Sequence, residues 1–158
     1  MSNTAAKNIF GLIAFVVIVA AAALVAGSFP PGEWYAGLAK PDLTPPSWVF
    51  GAVWPVLYLL MAVSGWLGWK KSGIKKGKIP LVLFLAQLAL NAGWTWIFFG
   101  LRQPGLAFAE IILLLAAILA VTVSFWRIKR TAGLLFLPYL AWVLFAAFLN
   151  YRIWILNR

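Results

Sequence analysis

The chain has 158 residues, 65% of them hydrophobic and 10% charged, with a formal charge of +10, ten tryptophans and neither histidine nor cysteine. Soluble domains are near a quarter charged, so this is membrane-protein composition, and the length suits a single domain, residues 1–158. Disulfides, His/Cys metal sites and Ser–His–Asp or Cys–His catalysis are excluded, because the side chains they need are missing.

Five apolar runs, at 9–29, 48–69, 79–100, 105–126 and 133–156, are each about 20 residues, enough for a helix to cross a bilayer. They are expected to be helical, since hydrocarbon offers backbone groups no other partner. The first run follows a single Lys7 and has small residues at 20–26, as a secretory signal would. It is long for a signal and four more spans follow, so it is read as a retained helix. The next segment, 30–47, is a long loop carrying Pro30, Pro31, Pro41, Pro45 and Pro46 with Trp34 and Tyr35. Loops of this length in compact chains are usually functional or disordered, and the prolines and aromatics argue for an ordered cap on the bundle. The other connections are short. They are a basic turn at 70–78 with Gly73 and Gly77, a tight turn at 101–104 and a basic turn at 127–131. Pro104 suits the first position of a helix. The predicted fold class is all-α, an integral membrane bundle of five transmembrane helices with a long ordered loop between helices 1 and 2.

Basic residues are unevenly divided between the two ends. Lys7, Lys70, Lys71, Lys75, Lys76, Lys78, Arg127, Lys129 and Arg130 lie on the N-terminal side, against Lys40, Arg102, Arg152 and Arg158 opposite. The positive-inside rule places the N-terminus in the cytoplasm, and the long first loop and C-terminus on the other side. Basic clusters between apolar runs point to anionic lipid headgroups as partners, with no nucleic acid.

Three spans carry faces on which chemistry is conceivable. In the second run Phe50, Trp54, Tyr58 and Met61 recur at helical spacing and share one face, and Pro55 is expected to kink that helix. Such a stripe serves either helix packing or ligand contact. In the third run Gln87, Asn91 and Thr95 are spaced by four and flanked by Trp94 and Phe98. Uncharged polar groups within a span either bond across helices or orient a ligand in an apolar pocket, and both readings stand. In the fifth run Tyr139, Trp142, Ala146 and Asn150 share a face, with Ala146 and Ala147 leaving space beside Trp142 and Pro138 expected to kink the early part. Glu110, about two turns into the fourth run, is the only acid within a span. It is a functional candidate, or else it snorkels to the surface or pairs with Arg102.

Particular stretches carry a family resemblance. Residues Trp34 to Pro41 (WYAGLAKP) and Pro45 to Trp54 (PPSWVFGAVW) resemble the translocator protein family, also called tryptophan-rich sensory protein, TspO/MBR or peripheral-type benzodiazepine receptor. Asn91 to Thr95 is similar to its third-helix signature, and Pro138 to Trp142 with Leu149 to Tyr151 to its fifth. The resemblance spans the whole chain and is to a bacterial-type member, which implies a bacterial cell membrane. It implies a five-helix bundle, commonly a homodimer, whose first loop closes over a pocket. It also implies binding of porphyrins such as protoporphyrin IX, of sterols, and of synthetic isoquinoline-carboxamide and benzodiazepine ligands. The pocket it implies includes Tyr35, Pro45, Trp54, Asn91, Trp94, Trp142 and Ala146. Trp54 and Trp142 match tryptophans that some bacterial members use in light-dependent porphyrin breakdown, so these two are the candidate catalytic residues. The sequence departs from the cholesterol motif of eukaryotic members, since Tyr151 is followed at once by Arg152 without a spacer.

With the face residues Phe50, Tyr58, Gln87 and Phe98 added, these positions make the predicted ligand site. No metal and no cofactor is expected. A porphyrin would be ligand or substrate, held by its faces and edges, since only Met1, Met61 or a tyrosine remains to bind a central metal. Binding or sensing of tetrapyrroles is the leading reading. Photo-oxidative degradation is the alternative, and transport of tetrapyrroles or sterols ranks behind both, for want of an inverted repeat or paired charges. The spacing of Ala89 and Gly93 suits close helix approach in a homodimer. Trp48, Trp66, Trp69, Trp126 and Trp154 sit near span ends, where membrane anchoring suffices, Trp34 belongs to the lid, and Trp54, Trp94 and Trp142 carry the functional expectation.

Overall fold

Backbone groups in hydrocarbon must bond to their own segment, and the five apolar runs accordingly fold as helices. A computed structural model describes residues 3–158, and the side chains of residues 5–73 and 77–158. Met1 and the side chains of Lys75 and Lys76, named above, lie outside the described residues. The five spans are Ala5–Gly27, Ser47–Gly73, Gly77–Gly100, Pro104–Ile128 and Arg130–Leu156, here the first to fifth. The chain is an all-α membrane bundle, and each helix is long enough to cross.

The turns follow from local chemistry. Helix runs through Ser47–Thr95 except at Gly73, whose φ of 66° and ψ of 178° belong to the region that favours glycine. That residue closes the second span, and the third opens at Gly77. Lys129, extended at φ −154° and ψ 116°, alone separates the fourth span from the fifth. Pro104 opens the fourth span at the position where a missing N–H does no harm. The third span ends in a π-helical turn, Trp96–Gly100, closed by the Leu101 N–H donating to the Trp96 carbonyl at 2.9 Å. This wider turn presents Phe98 and Phe99 to the first loop. The loop is an ordered cap, as expected, and contains a short helix, Glu33–Gly37, that the proline count did not predict.

The fourth and fifth spans pack on each other and on the Ser47–Thr95 pair, and the first span packs on that pair. At the basic end the packing is glycine against aromatic ring. Phe15 of the first span lies over Gly65 and meets Phe84 edge-on at 5.5 Å. Phe125 covers Gly68, and Gly133 sits against the backbone of Trp126. Met61, Phe84, Ile118, Val121 and Phe136 are fully buried between these contacts. Three tryptophans assigned to anchoring prove to be packing residues as well. Trp69 lies on Gly11, Trp154 on Gly105, and Trp66 Nε1 donates to the Asn8 carbonyl at 3.0 Å. Interfacial tryptophans and interhelical tryptophans look alike in a sequence, because both sit near span ends.

Candidate ligand-binding site

Toward the loop end, polar side chains enter the bundle and pair across helices. Tyr58 of the second span donates its hydroxyl to Asn91 Oδ1 at 2.9 Å, and Asn91 Nδ2 donates to the Tyr139 hydroxyl of the fifth span at 3.2 Å. One buried asparagine thus ties three helices. Its own carbonyl accepts from the Thr95 hydroxyl at 3.3 Å, which absorbs the third member of the polar stripe locally. Gln87, the first member, is fully buried and its Nε2 reaches Met61 Sδ at 3.8 Å.

Aromatic rings surround this chain of bonds. Trp54 lies over Tyr58 with centroids 5.4 Å apart and meets Tyr139 edge-on at 6.4 Å. Phe50 meets Trp142 edge-on at 5.6 Å. Ala146, one turn beyond Trp142, is half-buried and packs with it against the same core. The structure therefore brings Trp54, Tyr58, Asn91 and Tyr139 together and, on the same second and fifth spans, pairs Phe50 with Trp142.

A second group lies nearer the loop. Trp94 stacks on Phe98 at 5.2 Å, and its Nε1 donates to Asn150 Oδ1 at 2.9 Å. Asn150 Nδ2 in turn donates to the Pro104 carbonyl at 2.7 Å, so Trp94 is oriented from the fourth and fifth spans together. Trp34 and Tyr35 of the loop helix meet Phe98 edge-on at 5.9 and 6.1 Å, and Tyr35 meets Phe99 at 5.4 Å. Lys40 Nζ sits 4.6 Å from the centre of the Tyr35 ring, a cation over an aromatic face. Burial pushes the Tyr35 phenol above its ordinary value of 10.0. Trp94 packs against both the main core of the bundle and the small core around Phe98. Pro45 stands apart, half-buried in the segment leading into the second span.

Unpartnered polar atoms lie along these same helices. Trp142 Nε1, Gln87 Oε1 and both carboxyl oxygens of Glu110 are buried without a hydrogen-bond partner among the described residues. Glu110 therefore makes no pair with Arg102, and its oxygens do not snorkel to the surface. It lies beside Gly93, where a β-carbon would approach Oε1 to 3.9 Å. Tyr139 and Asn150 are hubs of the network that the predicted site omitted. Their shared face with Trp142 was the available signal, and it was read only as spacing.

Comparison with known proteins fits these contacts. The sequence model of the TspO/MBR family matches residues 13–155. The chain belongs to the TspO/MBR family. It is 44% identical over 135 residues to the translocator protein of Homo sapiens, which covers 82% of this chain and 80% of that one. It is 38% identical over 154 residues to the tryptophan-rich protein TspO of Archaeoglobus fulgidus, covering 95% and 99% of the two chains. The tryptophan-rich sensory protein of Cereibacter sphaeroides is 34% identical over 145 residues, with 92% and 90% covered. In this TspO/MBR chain the stretches that carry the resemblance, far apart in sequence, meet in space. The loop stretch rests on Phe98 through Trp34 and Tyr35, and the third- and fifth-helix stretches bond through Asn91–Tyr139 and Trp94–Asn150.

Proposed function

We propose that this TspO/MBR chain binds porphyrins of the protoporphyrin IX type, and similar flat apolar molecules, among Phe50, Trp54, Tyr58 and Trp142, in tetrapyrrole sensing or regulation. The observation that carries the reading is the unpartnered, buried Trp142 N–H within a cluster of aromatic faces. Stranding a buried donor costs about 1–3 kcal/mol, and such a group calls for a specific reason in a native structure. A flat conjugated ring with polar edges supplies the reason. Its faces stack on the indole and phenol rings, and an edge acceptor takes the Trp142 proton. The Gln87 Oε1 acceptor suits a pyrrole N–H in the same way. Titration with protoporphyrin IX should quench tryptophan fluorescence, and Trp54→Ala should raise the Kd about tenfold, the loss of one stacking contact. Unchanged quenching in that variant defeats this site.

A second reading has its own support in the contacts of Trp54 with Tyr58 and of Trp142 with Phe50. Oxidisable indoles against a photoexcited porphyrin would favour light- and oxygen-dependent degradation. Bleaching of porphyrin absorbance under illumination tests it, and a Trp54→Phe/Trp142→Phe double variant that bleaches equally fast defeats it.

The N-terminus is assigned to the cytoplasm and the first loop to the opposite side, on the excess of Lys and Arg at the other end. A C-terminal reporter active only in the cytoplasm reverses this. A homodimer through the third span is supported by exposed Ala86 and Ala89 on its outer surface beside Gly93. Cross-linking in membranes that gives monomer alone defeats it.

A further inference from the structure

Glu110 is the one acidic side chain within a span, and the porphyrin reading makes no use of it. It lies six residues past Pro104, about 9 Å along the fourth span. Its neighbours one turn away place it on an edge of that helix. Ala107 and Leu114 on one side are buried in the core, whereas Leu106 and Leu113 on the other are 50% and 62% exposed. Gly93 occupies the same kind of edge on the third span, with exposed Ala89 and Trp96 one turn to either side.

The two edges meet. A β-carbon at Gly93 would approach Glu110 Oε1 to 3.9 Å, and nothing else packed against the helix comes within 4 Å of that point among the described residues. Glu110 therefore lies in the seam between the third and fourth spans, toward the side that faces the bilayer, with space for a small group beside Oε1. Ala86 and Ala89, offered above as a contact between copies, border this seam on the third span only. Leu106 and Leu113 border it on the fourth.

Both carboxyl oxygens are buried, and neither has a donor among the described residues. An ionised carboxylate left unpaired in so apolar a place is costly, and an acid within a span marks a functional position. Two oxygens ask for two donors and one compensating charge. A hydroxyl or a pyrrole N–H offers one donor and no charge. A protonated amine offers up to three donors on a single charged atom. Hydrophobic amines dissolve in bilayers, so such a molecule reaches the seam sideways and rests its apolar body on Leu106, Leu113 and Trp96.

We propose that Glu110 is the anionic anchor of a second binding site, in the seam between the third and fourth spans, for hydrophobic molecules that carry a protonated amine. The site is independent of the porphyrin reading, which rests on side chains of the second and fifth spans.

The probe is dansylcadaverine, a naphthalene ring carrying a primary ammonium on an alkyl chain, with its N-acetylated form as the uncharged control. The full chain is placed in nanodiscs of phosphatidylcholine, so that no anionic lipid competes for the cation. Energy transfer from tryptophan to the dansyl group reads binding. Dansylcadaverine should bind saturably, and the acetylated form at least tenfold more weakly. Glu110→Gln keeps the size of the side chain and removes its charge. It should weaken dansylcadaverine at least tenfold and leave the acetylated form within about twofold. Gly93→Ala sets a methyl group against Oε1 at an ordinary contact distance, so it should fold, and should weaken the amine several-fold with the carboxylate in place. That variant decides the matter if Glu110→Gln does not fold.

No saturable binding to the wild-type protein, equal affinity for the two probes, or unchanged dansylcadaverine affinity in the folded variants overturns the site. Quenching by protoporphyrin IX in Glu110→Gln should match the wild type. Its loss together with amine binding overturns the independence of the two sites, and its absence in the wild-type protein defeats the porphyrin reading alone.

Discussion

The two halves of the bundle are held together by different means. At the basic end, glycines receive aromatic rings, as Gly65 receives Phe15 and Gly68 receives Phe125, and buried hydroxyls are satisfied by backbone. Ser64 donates to the Ala132 carbonyl and Thr122 to the Ile118 carbonyl, both at 2.7 Å. Toward the loop end such pairs persist, as Trp154 on Gly105, but side chains also bond to side chains, through Tyr58–Asn91–Tyr139 and Trp94–Asn150. The buried side-chain N and O atoms without a partner among the described residues belong to Gln87, Glu110 and Trp142, and of these only Gln87, through Met61, touches the glycine–aromatic packing. One half is closed packing that asks for nothing more. The other retains unpaired groups that a packed apolar core would have no reason to keep, which is the arrangement expected where a ligand is to be oriented.

This contrast can be broken, and the largest effect should come from the closed half. A β-carbon at Gly133 would lie 2.9 Å from both Cα and Cβ of Trp126, and backbone cannot rotate away. Gly133→Ala should therefore destabilise the protein by about 1–3 kcal/mol, seen as a lower thermal unfolding midpoint in detergent. The folded fraction should bind protoporphyrin IX as tightly as before. Loss of affinity alongside stability would mean that the two halves are not separable.

A smaller effect of the opposite kind is expected at Trp142. Trp142→Phe removes an N–H that has no protein partner, a gain that offsets the packing lost with the smaller ring, so stability should fall by less than in Gly133→Ala. Protoporphyrin IX affinity should fall about tenfold, as for one lost hydrogen bond. A variant as unstable as Gly133→Ala would make Trp142 a packing residue and erase the distinction.

The smallest effect is expected at the loop. Tyr35 is docked with its phenol held above 10.0 by burial, so docking favours the neutral ring. That contribution is intact below pH 10 and is lost as pH rises through the raised value. Access of an aqueous quencher to the tryptophan fluorescence should rise over that range as Trp34 leaves Phe98, and Tyr35→Phe should remove the rise. Quenching that follows pH equally in both proteins would detach the loop from Tyr35 ionisation.

Much of this organisation was legible in the residues. Apolar runs of bilayer length leave a backbone no choice but helix, so five spans and their order could be read directly. The face shared by Phe50, Trp54 and Tyr58 also proved to be a face in space, meeting Tyr139 and Trp142. Other features carried no local signal. Asn157 is a lone polar residue after the last span, and nothing near it in sequence marks Ala39 as its partner. Trp66, Trp69 and Trp154 sit where anchoring tryptophans also sit, so their packing on the Asn8 carbonyl, Gly11 and Gly105 was invisible.

Composition and periodicity by themselves determined the class, the spans, the turns and the faces that could hold a flat apolar molecule, because each depends on near neighbours and on the solvent around them. Which polar groups find partners was decided only by the tertiary structure. Asn91 pairs twice, Asn150 orients Trp94, and Trp142 and Glu110 keep unpartnered polar atoms. Hydrogen bonds between spans depend on how helices far apart in sequence are rotated against one another, and that rotation is set by the packing of all five together.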